Sequence, residues 1–181
     1  MPAKVNGLKI DRKFTDTGKD PFQKLKWKKR DVEIRNFDGS VVFSMKDVIL
    51  PDNYSQVAAN VLSQKYLRKA GVPKKLRKVR EADVPIWLQK SIPDAKAMEN
   101  LPESESLGEE TDGKQTFRRL AGTWTYWGWK YGYFASEKDA RSYYDEMCYM
   151  LAFQMVSPNS PQWFNTGLNW AYGIEGPPQG H

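Results

Sequence analysis

The chain has 181 residues, of which 40% are hydrophobic, 13% aromatic and 28% charged. That length and apolar share suit one domain with a core, or a small domain plus an arm, and argue against wholesale disorder. A single cysteine, Cys148, excludes an internal disulfide, and a single histidine, His181, excludes a His/Cys metal cluster.

Charge divides the chain in two. Residues 1–90 carry 21 Lys/Arg against 10 Asp/Glu, whereas residues 91–181 carry 7 against 12, within a net charge of +6. A basic half can attract nucleic acid or an acidic partner, although a solvated face is the simpler reading. No apolar run approaches membrane-spanning length and the first residues lack a signal-peptide core. The expected location is therefore the cytoplasm, with no membrane partner.

In chain order, residues 1–30 are polar and basic, with apolar side chains too sparse for a core, and read as a basic flexible arm. Residues 31–53 read as a β-hairpin region, because Val32, Ile34, Val41, Phe43 and Met45 alternate with polar neighbours around the turn residues 36–39. A helix is predicted over 55–70, with Val57, Ala58, Val61, Leu62 and Tyr66 on its buried side, Leu67 beside them, and Gly71-Val72-Pro73 as its stop. The cluster Lys74, Lys75, Arg77, Lys78 and Arg80 is the best nucleic-acid candidate, but no aromatic run or reading motif accompanies it.

Residues 81–112 hold three prolines and an acidic stretch at Glu103, Glu105, Glu109, Glu110 and Asp112, and suit short turns joined by exposed loops, anchored by Trp87 and Leu88. Two helices follow, at about 113–129 and 136–155, predicted as an antiparallel pair. The aromatics Trp124, Tyr126, Trp127 and Trp129 fit packing better than a stacking platform. Cys148, mid-helix, reads as structural.

The stretch from 155 to 168 is where chemistry is expected. Ser160 followed by Pro161 is a helix-start signature, the hydroxyl capping a backbone N–H and proline taking the first helical position. Such a start can hold a phosphate, and an ordinary capped turn would look the same. From residue 157 on, Glu175 is the sole charged side chain. A tail with Trp163, Phe164, Trp170 and Tyr172 then predicts an exposed apolar surface, as of a chain cut mid-domain or ending at a partner.

Residues 158–167, Pro-Asn-Ser-Pro-Gln-Trp-Phe-Asn-Thr-Gly, resemble the Pro-x-Ser/Thr-Pro-x-x-x-Asn-x-Gly element in the large chain of ribonucleotide reductases. With Trp170-Ala171-Tyr172-Gly173 they are most similar to the adenosylcobalamin-dependent (class II) branch. The likeness continues upstream through 31–36, 38–43, 64–73 and 121–129. Such reductases are several times longer, so the chain resembles the leading portion of one.

This resemblance implies a fold that is mainly α with a small β-hairpin. Residues 54–156 would be a helical amino-terminal domain, and 157–181 the start of a truncated ten-stranded α/β barrel. It implies reduction of a ribonucleotide by cobalamin-initiated thiyl radical chemistry. Ser160 matches the substrate-contacting hydroxyl near the phosphates, Asn159 and Asn165 are weaker substrate-binding candidates, and no catalytic, cofactor or metal residue carries over. Because the family's thiol trio is missing, these residues alone are expected to be inactive, with adenosylcobalamin bound outside the segment. The expected partners are the ribonucleotide and the remainder of the reductase chain or a second barrel chain, with a homodimer of the complete enzyme. The alternative is a stand-alone basic module holding nucleic acid or a partner protein.

Overall fold

The computed structural model describes residues 7–176. The chain enters along the surface of the later helices. The Leu8 N–H donates to the Tyr133 carbonyl at 2.7 Å, the Ala135 N–H returns to Leu8 at 3.0 Å, and the Ile10 N–H donates to Asp139 at 2.8 Å. Next the Glu146 carboxylate collects the backbone N–H groups of Lys13, Phe14 and Thr15 and the Thr15 hydroxyl. Phe22, 2% exposed, inserts into the core beside Trp27 and Phe117.

Strands β1, Trp27–Arg35, and β2, Val41–Pro51, form an antiparallel hairpin. Its turn needs a left-handed residue, which Gly39 supplies at φ 86°. The register slips between Arg30 and Val32, where Asp31 accepts from the Asp47 N–H at 3.0 Å while Asp47 takes φ 55°. After this bulge Val32, Met45, Val48 and Leu50 all face inward.

Helix α1, Gln56–Val61, is capped by the Ser55 side chain, which accepts from the Ala58 N–H. It then widens into a π-helical turn, Leu62–Tyr66, closed by the Leu67 N–H on the Leu62 carbonyl. The helix predicted over 55–70 therefore ends early. Leu62 and Leu67 are buried as the spacing suggests and Ser63 joins them, whereas Val57, ahead of the turn, is 72% exposed.

Residues 72–108 hold β3, Val72–Pro73; β4, Leu76–Lys78; a 3₁₀ turn, Ile86–Leu88; β5, Ser91–Pro93; α2, Ala95–Met98; α3, Glu103–Ser106; and β6, Leu107–Gly108. Here β3 pairs with β6 and β4 with β5, both antiparallel. Together with the hairpin these make three two-stranded sheets among the described residues. The expectation of a mainly α fold is thus corrected: 39% of the structure is helical and 20% is strand, with no barrel among the described residues. Ladders of two or three residues are too short to show alternation, and exposed Leu76, Arg77 and Lys78 carry no apolar signal of a strand.

The two long helices are α4, Gly113–Lys130, and α5, Glu137–Ala152. Asp112 and Gln115 form a capping box at the start of α4, and Ser136 caps α5. Gly132, at φ 69°, turns the chain so that α5 runs back along α4. Phe117, Leu120 and Ala121 from α4 meet Tyr144, Cys148 and Leu151 from α5 and the inner side of the hairpin. Each such large side chain contributes about 1.5–3 kcal/mol by leaving water. No helix among the described residues is long and apolar enough to cross a membrane.

Candidate functional site

The motif segment folds as two short helices, α6, Ser160–Asn165, and α7, Leu168–Tyr172. The cap of α6 is Asn159, whose side-chain oxygen accepts from the Gln162 N–H at 3.3 Å. Ser160 is the first helical residue and Pro161 the second, one position later than the sequence suggests. Asn and Ser cap almost equally well, so either reading satisfies the backbone. The shift leaves the Ser160 hydroxyl free of the helix end, and it meets the Tyr66 hydroxyl at 3.0 Å.

Below α6 the segment is anchored by rings. Trp163 stacks on Tyr66 at 5.3 Å and 16°, and its indole N–H reaches the Ser157 hydroxyl at 3.3 Å. Trp163, Phe164 and Tyr172 are buried and Trp170 is half-buried. The expected exposed apolar tail is therefore corrected: these side chains cover α4 and the π turn. Trp170 packs directly against Gly122, where a Cβ would fall 2.1 Å from its ring.

Beneath the segment lies a buried polar cluster. Arg119 and Glu110 pair at 2.8 Å with neither side chain exposed. The Arg119 guanidinium also donates to the carbonyls of Thr166 at 2.7 Å and Tyr66 at 2.9 Å. Glu110 further accepts from the Arg68 N–H, the Thr116 hydroxyl and the Tyr172 hydroxyl, at 2.8, 2.9 and 2.8 Å. Burial, and then the adjacent Glu110 carboxylate, push the Tyr172 phenol well above its ordinary pKa. One ion pair thus ties the π turn, α4, the 166–167 link and α7 together.

Of the three predicted site residues, Asn159 and Ser160 sit side by side at the start of α6, exposed and half-buried respectively. Asn165 lies at the far end, about 7.5 Å along the axis at 1.5 Å per residue. There it lines a separate cleft of about 300 Å³ with Lys90, Thr123 and Trp170. The three are not gathered around one point. Tyr66, Arg119 and Glu110, which hold the segment, were not legible as site residues. The one available signal is the spacing of Thr116, Arg119 and Thr123 on one side of α4, a polar stripe that turns out to be buried.

Cys148 is fully buried, and burial pushes its thiol pKa up to about 12, against a lowering influence from Arg118. Such a thiol is held protonated and inert. In the basic cluster, Lys78 is exposed overall, but its ammonium donates to the Gln89 carbonyl at 2.7 Å, and partial burial of that end lowers its pKa. An apolar cleft of about 720 Å³ is lined by Leu8, Trp124, Trp127, Tyr131, Tyr133 and Met147, among others. Trp127 is 50% exposed there, so the aromatic cluster is only partly core.

The residues present do not fit a cobalamin. The large cleft lined by Leu8, Trp127 and Tyr133 offers mainly hydrocarbon to a corrin rimmed with amides.

A sequence model of class II vitamin B12-dependent ribonucleotide reductases matches residues 28–154. The chain is 58% identical over 174 residues to the vitamin B12-dependent ribonucleotide reductase of Agrobacterium fabrum, and 56% identical over 174 residues to that of Bradyrhizobium diazoefficiens. It is 34% identical over 165 residues to that of Streptomyces clavuligerus. The alignments cover 96%, 96% and 90% of this chain but 14% of each relative. The chain belongs to the class II vitamin B12-dependent ribonucleotide reductase family and corresponds to its amino-terminal region.

Proposed function

We propose that this chain is the amino-terminal support of an adenosylcobalamin-dependent ribonucleotide reductase and presents Ser160 to the phosphates of the ribonucleotide. The observation that carries this reading is the release of Ser160 from the helix cap: its hydroxyl is partly exposed on a segment fixed by Trp163 and by the Arg119–Glu110 pair. An O–H donated to an anionic phosphate oxygen is a charge-assisted bond that orients the nucleotide. Asn159 holds the turn that aims Ser160, and Asn165 orders the other end of α6.

The remaining steps belong to residues outside this segment. Adenosylcobalamin would be held by residues outside this segment and would supply radical chemistry there. The reacting thiols also lie there, since Cys148 is buried and protonated. A barrel, on the same chain or a second one, completes the substrate site, and the complete enzyme works in the cytoplasm as a homodimer. These residues alone are inactive.

The test is Ser160→Ala in the complete reductase. Loss of a hydrogen bond to a charged group costs roughly 1.5–3 kcal/mol, so KM for the ribonucleotide rises about 10-fold or more. The rate at saturation and the affinity for cobalamin stay unchanged. An unchanged KM removes Ser160 from the substrate contact.

A further inference from the structure

We infer that Tyr66 is a positioning residue for Ser160, its phenolic O–H donating to the serine oxygen so that the serine proton is left for the substrate. This rests on the reading of Ser160 as a phosphate contact. The two hydroxyls are 3.0 Å apart, and either atom has the chemistry to be the donor. A serine hydroxyl has one proton and two lone pairs. Once that proton is committed to a phosphate oxygen, the pair survives only with Tyr66 as donor. A chain from Tyr66 through Ser160 to the anion then polarises each successive O–H, and the phosphate receives a stronger donor than an isolated serine offers.

The surroundings hold Tyr66 for this task. It is the last residue of the π turn, and a wide turn of this kind re-aims the side chain that ends it. Its carbonyl accepts from Arg119 at 2.9 Å, and its ring stacks on Trp163 at 5.3 Å and 16°. Backbone, ring and hydroxyl are thus fixed by three different partners, on α4 and α6. Ser160 needs such a partner, since a half-buried serine at the start of a helix otherwise samples several rotamers. With Tyr66 in place, the rotamer that faces the phenol is selected before substrate arrives.

The test is Tyr66→Phe in the complete reductase, alone and combined with Ser160→Ala. Phenylalanine retains the ring and its stack on Trp163 and removes only the hydroxyl. KM for the ribonucleotide is expected to rise about 3-fold to 10-fold with the rate at saturation unchanged, the size of one neutral hydrogen bond. In the Ser160→Ala background the same substitution is expected to have no further effect on KM. A merely structural role would instead raise KM equally in both backgrounds. That result overturns the inference, as does an unchanged KM for Tyr66→Phe when Ser160→Ala raises it. If neither substitution moves KM, the reading of Ser160 itself fails and the inference falls with it.

Discussion

Arg119 and Glu110 form an ion pair at 2.8 Å with both side chains at 0% exposure, and together they bond to four separate parts of the chain. Taking two charges out of water is costly, and the cost is offset only when every remaining donor and acceptor is met. Here the guanidinium reaches two carbonyls beyond its partner, and the carboxylate accepts from a backbone N–H and two hydroxyls. Glu110→Gln keeps the shape but leaves Arg119 charged and uncompensated. We expect a loss of about 3–5 kcal/mol in urea unfolding followed by tryptophan fluorescence. The double substitution Glu110→Gln with Arg119→Met should cost less than the sum of the two singles, because no lone charge remains.

Gly167 joins α6 to α7 at φ 88°, and a Cβ there would lie 2.3 Å from the Arg119 carbonyl oxygen. Gly167→Ala meets both a left-handed backbone and a contact with main chain. It should destabilise the fold by roughly 1–3 kcal/mol. Limited proteolysis is the direct check, with cleavage near Thr166 appearing in the variant before it appears in the parent chain.

Acid should release the entry segment. Burial opposes ionisation of Glu146, but bonds from the Thr15 hydroxyl and from the backbone of Thr15, Lys13 and Phe14 outweigh it and hold its pKa below the ordinary 4.5. A depressed carboxyl contributes stability above its unfolded pKa, and that contribution is lost as pH falls through the lower folded value. Hydrogen exchange at the Thr15 amide should therefore lose its protection at a pH below 4.5, and Glu146→Gln should lose it already at neutral pH.

The Cys148 thiol should be unreactive in the native chain. It is 0% exposed with its pKa pushed up to about 12. At pH 8 a thiol reagent should label it only at the rate of unfolding, and at once in denaturant. Rapid native labelling would show that the α4–α5 interface opens.

The parts of this fold that were legible are those with enough length to display a period. The apolar side chains of α4 and α5 recur at helical spacing over 18 and 16 residues, and Asp112 and Ser136 mark where they start. The ladder of β4 and β5 spans three residues bounded by lysines and proline, so its pairing is set by tertiary contacts. Glu110 lies in an acidic run that reads as solvated, and only the fold reveals that Arg119 comes to meet it. At the candidate site, the Ser160-Pro161 pair points to Ser160 as the cap, but Asn159, an equally good cap, takes that place. That choice decides whether the serine hydroxyl is free for a ligand.

The central claim, that this chain works as the front of a cobalamin-dependent reductase, is tested most directly by immunoprecipitation from source cells with an antibody against the chain. The account predicts a band several-fold larger than 20.9 kDa, as the 14% coverage of its relatives implies. The precipitate should reduce ribonucleotides only when adenosylcobalamin is added, and Ser160→Ala should raise the KM of that activity. A band at 20.9 kDa with no associated reductase activity would contradict it.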